Sequence, residues 1–352
     1  MGAATTASEA AEPERDRGRD APSPGAIPLL GWRDVLLRVS VKVRSDNLAL
    51  ISAGVAYYGL FAVFPALAAL ISIYGLIADP VDAERQVAAL PALPGEARRL
   101  LMDPLQRVAG SSGPALGSGL IASLLVSVYA ATRGLSSLIL ALNIAYGERE
   151  QHGFFKQKAI SFAFTLGAIL LGIGAIAITV AAPVVLAYVP LDGASLIGLA
   201  VLPWFLLAGS FFSGVTLLYR YGPNRRPARW RWLAPGAGLS TALWLAASVG
   251  LSVYVTHFQN YNRVYGSVGA VIVLLVWFYL TAYIVMLGAE LNAELEHQTR
   301  VDTTRGPEKP MGQRGAHVAD TLGEVPRRPW RGWWAQVDTF LGRPALRVRT
   351  RD

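Results

Sequence analysis

Cysteine is absent from all 352 residues, which excludes disulfides, a thiolate nucleophile and any cysteine-based metal site. The four histidines, His152, His257, His297 and His317, are scattered, and no HExxH pattern occurs, so the clustered ligands of a hydrolytic metal centre are missing. No Gly-x-x-x-x-Gly-Lys loop is present to cradle a phosphate, and no series of acids is spaced along an apolar run to relay protons. No internal repeat marks an inverted-repeat transporter. These absences argue against an intramembrane enzyme and against an ATP-driven pump on this chain, and imply no metal and no cofactor. Charge is also scarce: 16% of residues, where a soluble domain carries about a quarter.

What the chain has in place of charge is apolar length. It is 53% hydrophobic with a mean hydropathy of +0.39. Six stretches reach the roughly twenty apolar residues a bilayer crossing needs: about 48–77, 116–142, 160–189, 195–218, 233–256 and 268–295. Inside them the charged residues are Arg133 and, near the end of the last, Glu290 and Glu294. The expected fold is therefore all-α, a polytopic membrane protein with a six-transmembrane-helix bundle occupying residues 31–298. Residues 1–30 mix Ala, Pro, Gly and alternating charge and read as a disordered arm, leaving the first span as its own targeting signal. Residues 299–352 read as a basic tail, with a flexible linker from Arg300 to Pro329.

Lys and Arg orient the bundle. Arg33, Arg38, Lys42 and Arg44 precede the first span; Arg149, Lys156 and Lys158 occupy the second loop; Arg220, Arg225, Arg226, Arg229 and Arg231 the fourth. The third loop has none and the fifth only Arg263. The first loop carries four arginines, outnumbered by its acids. Both termini are expected on the cytoplasmic side. The net charge of +8 then reads as attraction to anionic lipid headgroups at that face rather than to nucleic acid, whose recognition motifs are missing.

Three segments have the pattern of interfacial amphipathic helices. Trp32, Val35, Leu36, Val39 and Val43 share one side of a helix opposite Arg33, Arg38 and Lys42. Leu93, Ala97, Leu100, Leu101, Leu105 and Val108 line another in the first outer loop. Trp333, Trp334, Val337, Phe340 and Leu341 line a third in the tail. Small-residue stripes at Ala242, Ala246 and Gly250, and at Ser123, Ser127 and Ala131, suit close helix packing. Pro65, Pro183 and Pro203 are expected to bend their spans.

The polar residues inside the spans carry the functional argument. Glu290 and Glu294 are one turn apart and share a face with Tyr279 and Tyr283, while Asn292 points to the other side. Arg133 lies in the cytoplasmic half of the second span and needs an anion, carbonyls or water; either glutamate is a candidate partner. Asn47 and Tyr58 form a similar stripe at the start of the first span, and Asn143 closes the second. The expectation is one polar cluster built from spans one, two and six. A ligand site and a structural clamp are both compatible with it.

Three blocks, "DNLALISAGVAYYGLFAVFPALAALISIYGL" from Asp46, "YAATRGLSSLILALNIAYGERE" from Tyr129 and "YNRVYGSVGAVIVLLVWFYLTAYIVMLGAELNAELE" from Tyr261, resemble the YihY/virulence factor BrkB family of bacterial inner-membrane proteins over roughly 32–298. The resemblance implies six spans, cytoplasmic termini and a transporter-like or envelope-supporting role. Members have also carried a ribonuclease BN label, which the missing ligand clusters do not support. The family pattern falls on Asn47, Tyr57, Tyr58, Pro65, Arg133, Gly134, Asn143, Tyr261, Asn262, Tyr265, Gly266, Gly269, Gly288, Glu290, Asn292 and Glu294, with no established role attached. The functional expectation is a permease for an unidentified solute or lipid, with a non-transporting scaffold as the alternative.

Overall fold

The computed structural model describes residues 17–77, 113–149, 154–188, 193–257 and 259–324. Among these the structure is helical, with one isolated bridge between Ala228 and Thr304. A 3-10 turn, Pro24–Ala26, leads into α1 (Leu29–Ser45). The long helices follow: α2 (Leu48–Ile77), α3 (Gly113–Ala145), α4 (Phe154–Tyr188), α5 (Gly193–Tyr221), α6 (Trp230–His257) and α7 (Gln259–Glu296); α8 (His317–Asp320) is a single turn. Five segments are long and apolar enough to cross a membrane: Leu48–Leu67, Ser118–Ala145, Leu202–Tyr221, Trp230–Val255 and Gly269–Glu296. Helices α2 and α5 run on through Pro65 and Pro203.

Consecutive long helices pack side by side from α2 to α7, and α7 closes the set by packing on α2 as well as on α1 and α3. Ser52 reaches Met286 and Gly59 faces the Phe278 ring, so α2 and α7 are antiparallel. The α6–α7 crossing is closest at Gly236 and Gly288. A β-carbon on either would collide with the carbonyl oxygen of the other, and one on Gly288 would also strike Ser240 and Tyr219. Glycine here lets two backbones meet where lipid supplies no hydrophobic drive. Polar bonds staple the crossing: the Tyr219 hydroxyl donates to the Val285 carbonyl at 2.5 Å, and Ser240 Oγ to that of Ile284 at 3.0 Å.

Buried apolar side chains concentrate at one end of the bundle. Leu48, Leu142, Tyr146, Tyr219, Leu233, Met286 and Ala289 form a core there, joined by Val318 of α8. Farther along the spans, large apolar residues face outward, as in Leu125 at 66% and Phe205 at 69% exposure. In a membrane protein those positions meet lipid tails, so burial within the chain is not required of them.

Residues 17–28 and 299–324, which composition reads as arm and linker, are folded onto the core end. Ala21 and Ile27 pack with Val35, Val39, Trp232, Leu291 and Leu295. The Arg229 amide donates to the Thr303 carbonyl and that of Arg305 to Pro227, both at 2.9 Å. Arg314, 5% exposed, binds the carbonyls of Arg300, Val301, Lys309 and Ala319. Asp320 accepts the amides of Gly312, Arg314 and Gly315. Backbone carbonyls and amides, which composition does not display, are what these polar side chains satisfy. The outer-loop amphipathic segment, the Trp-rich tail segment, residues 1–16 and Pro183's side chain lie outside the described part.

Helix α1 forms where expected but presents its faces differently. Val35 and Val39 are buried against α6 and α7, and Arg38 turns inward too, while Leu29, Leu30, Leu36 and Val41 are exposed. The long arginine side chain reaches across the edge of the apolar stripe to acids on α7, an attraction that α1's own periodicity cannot show.

Candidate functional site

The end of α7, "AELNAELE", is surrounded by protein on all sides. Glu290, Asn292, Glu294 and Glu296 are 0–2% exposed and fan out to different neighbours. Arg38 of α1 binds Glu294 through Nε, and its Nη2 donates to the Glu294 carbonyl at 3.1 Å and to Gln298 Oε1 at 2.8 Å. His297 Nδ1 lies 3.6 Å from the second Glu294 oxygen. Asn292 accepts from the Gly236 amide at 2.8 Å and donates to the Leu233 carbonyl at 3.0 Å, fixing α7 to the start of α6.

Glu296, outside the expected cluster, holds the most buried ion pair among the described residues. Arg225 Nη2 lies 2.6 Å from its Oε2, which also accepts from Thr303 Oγ1 at 2.6 Å. The Arg225 guanidinium centre stands 4.8 Å from the centre of the Tyr146 ring. Burial on its own would lower the Arg225 pKa; the Glu296 charge outweighs it and holds the pKa above the ordinary arginine value. The missed signal was the turn arginine in "GPNRRPAR", read only as topology charge.

The sequence-predicted cluster divides. Asn47 is the corner between α1 and α2: its φ is 52° and its Nδ2 donates to the Ser45 carbonyl at 3.4 Å. Asparagine is among the few side chains that tolerate this left-handed conformation. Asn143 accepts the Asn224 amide at 2.8 Å, tying α3 to the α5–α6 turn. Tyr279 and Tyr283 stack with ring centres 6.1 Å apart, and Tyr283 packs on the core. Tyr58 lies against Gly134 of α3. Asn262, Tyr265 and Gly266 lie in the first turns of α7, with side chains outside the described part. Glu290 is fully buried, and neither carboxyl oxygen receives a hydrogen bond from the described residues; Asp46, Lys42 and Glu294 are the charged groups around it.

Arg133 joins neither glutamate. Its Nε and Nη2 donate to the Tyr129 hydroxyl at 3.0 and 2.9 Å, and it has no acidic partner among the described residues. It is exposed, in a stripe with Leu125, Val126, Tyr129, Leu140 and Ile144 that runs along the outer side of α3. The physical reason for the split is reach. Glu294 meets Arg38 from α1, a helix that lies outside the spans and that sequence spacing cannot place.

At the core end, outside the spans, Glu148 accepts the His317 amide at 2.7 Å, and burial lifts its pKa above the ordinary carboxylate value. His317 is held below the ordinary histidine value by burial first and by the nearby His297 and Lys42 second, against Asp320.

Several apolar, membrane-length helices locked at one end by buried ion pairs define an integral membrane protein. The chain belongs to the Virulence factor BrkB family, whose profile matches residues 39–313. It is 27% identical over 260 residues to the ribonuclease-like protein YfkH of Bacillus subtilis, covering 71% of this chain and 90% of that one. It is 34% identical over 151 residues to the UPF0761 membrane protein PSHAa0171 of Pseudoalteromonas translucida, covering 41% and 48%. A UPF0761 membrane protein of Tolumonas auensis is 35% identical over 108 residues, covering 31% of this chain and 34% of that protein. No solved structure matches. The family match extends past Gln298 into the folded segment that composition reads as a linker.

Proposed function

We propose that the protein is a permease of the bacterial inner membrane that moves an anionic amphiphile, with no enzymatic step of its own. In this reading α4 is the sixth span, and the core end with both terminal segments lies in the cytoplasm, where its arginines meet anionic headgroups. The observation that carries it is Arg133: a guanidinium on the exposed stripe of a spanning helix, with apolar residues on both sides and no acid beside it among the described residues. An unneutralised charge at that depth is costly to retain and marks a pathway or binding site. The glutamates, by contrast, serve the base: Glu294 and Glu296 are engaged in ion pairs that hold the helices together. Those clamps are the observation that favours the second reading, a scaffold that transports nothing.

The test is complementation of a deletion strain with wild type, Arg133→Gln, Glu290→Gln and a truncation after Glu324, at matched membrane levels, with lipids and metabolites profiled in each leaflet and in the medium. A compound class that accumulates on one side in the deletion and with Arg133→Gln, but not with the truncation, supports the permease. Full complementation by both point variants with failure of the truncation favours the scaffold.

A further inference from the structure

Resting on the permease reading, we infer that Arg133, with Tyr129, forms a lateral binding site for the phosphate of an anionic phospholipid, between α2 and α3 at mid-membrane depth.

Position is the first support. Arg133 lies twelve residues before the inner end of its span, Ala145, and fifteen after Ser118. At 1.5 Å per residue these are about 18 and about 22 Å, so the residue sits near the middle of the spanning segment, away from both of its ends. Arginines near helix ends normally extend toward the headgroups. Arg133 instead bonds Tyr129, one turn farther from the inner end, which carries the guanidinium toward the bilayer centre.

The surroundings say what the site accepts. Leu125 and Val126 on one side and Leu140 and Ile144 on the other are exposed in the same stripe, so acyl chains have apolar surface above and below the charge. Tyr57 and Tyr58 of α2 form an edge-to-face pair, with Tyr58 beside Gly134, the residue that follows Arg133 on the neighbouring helix. The wall is aromatic, and Tyr57 and Tyr129 are open to a ligand. Two guanidinium nitrogens rest on one phenol oxygen, and Nη1 has no hydrogen bond to the described residues; a planar fork of this kind suits a tetrahedral oxyanion held by two oxygens. Of the α7 carboxylates, Glu294 is paired with Arg38 and Glu296 with Arg225, and Glu290 is buried among Asp46, Lys42 and Glu294 rather than beside Arg133. A soluble anion has no apolar partner for the flanking stripe, whereas a phospholipid brings phosphate and acyl chains together. At this depth its headgroup is below the plane of its leaflet, as required of a lipid in transit.

The experiment is native mass spectrometry of the full chain released from detergent supplied with phosphatidylglycerol, phosphatidylcholine or inorganic phosphate, for wild type, Arg133→Gln and Tyr129→Phe. The expected result is retention of phosphatidylglycerol by wild type, roughly tenfold less by Arg133→Gln, and an intermediate loss with Tyr129→Phe, which keeps the charge. Equal retention by Arg133→Gln overturns the site. So does equal retention of phosphatidylcholine, or displacement of the lipid by inorganic phosphate. Thermal unfolding of each variant separates binding from misfolding; if Arg133→Gln is unstable, Tyr129→Phe decides. The complementation above is an independent readout. Loss of lipid retention with full complementation keeps the site and removes the permease, whereas failed complementation with unchanged retention keeps the permease and removes the phosphate ligand.

Discussion

Replacing Glu296 by Gln should cost more stability than any other isosteric change at the core end. The carboxylate is fully buried, its partner Arg225 is 2% exposed at the side chain, and the pair sits at 2.6 Å with Thr303 on the same oxygen. Glutamine keeps the volume and one hydrogen bond but leaves the Arg225 charge buried without a counter-ion. Breaking such a pair from one side costs about 3–5 kcal/mol, mostly the penalty of the stranded charge. Removing both charges behaves differently, because well-packed apolar residues of similar volume replace a buried pair at little cost or with a gain of about 1–4 kcal/mol. Arg225→Met with Glu296→Leu should therefore be more stable than either single variant, aided by the Tyr146 ring under the guanidinium, which suits a methionine. The assay is unfolding by detergent titration followed by tryptophan fluorescence, to which the fully buried Trp232 of the same region contributes, analysed as a double-mutant cycle. If Glu296→Gln unfolds within about 1 kcal/mol of wild type, of the order of an exposed pair, the pair is hydrated and the reasoning from burial is wrong.

Two further outcomes concern the same region. Gly288→Ala should lower stability by about 1–3 kcal/mol, the usual cost of overpacking, because its methyl meets the Gly236 carbonyl oxygen as well as the Ser240 and Tyr219 hydroxyls, which are themselves held by hydrogen bonds; Gly250→Ala, with open space around it, should change little in the same unfolding assay. Acidification should loosen the 299–324 segment. His317 has a folded pKa below its unfolded value of about 6.5, so its contribution is present above that value and is lost as pH falls toward the folded pKa. Hydrogen exchange of α8 should accelerate between about pH 7 and pH 5, and His317→Asn should flatten that dependence; an unchanged profile in the variant would assign the effect to other groups facing it, His297, Lys42, Asp320 and Glu148.

How much was legible in the chain differs by scale. The membrane character and the all-helical class followed from apolar run length, because a bilayer imposes a length on any helix that crosses it; the helices themselves run past the apolar stretches, α7 from Gln259 and α4 from Phe154. Family membership followed from the motifs around Tyr57, Arg133 and Glu290. The outward display of Leu125 or Phe205 was equally implicit, since lipid accepts what water does not. Partner choice was not legible. Periodicity puts Glu290 and Glu294 on one face, yet it says nothing about which helix that face meets. Only the packing of α1 on α7 brings Arg38 to Glu294 and so leaves Arg133 with a tyrosine and an open side. The same holds for Glu296, whose partner comes from a turn seventy-one residues earlier, and for residues 299–324, whose order comes from buried bonds to backbone carbonyls and amides. Composition and spacing are properties of one segment against its solvent; ion pairs and caps are properties of two segments against each other, and only the tertiary structure brings the second segment to the first.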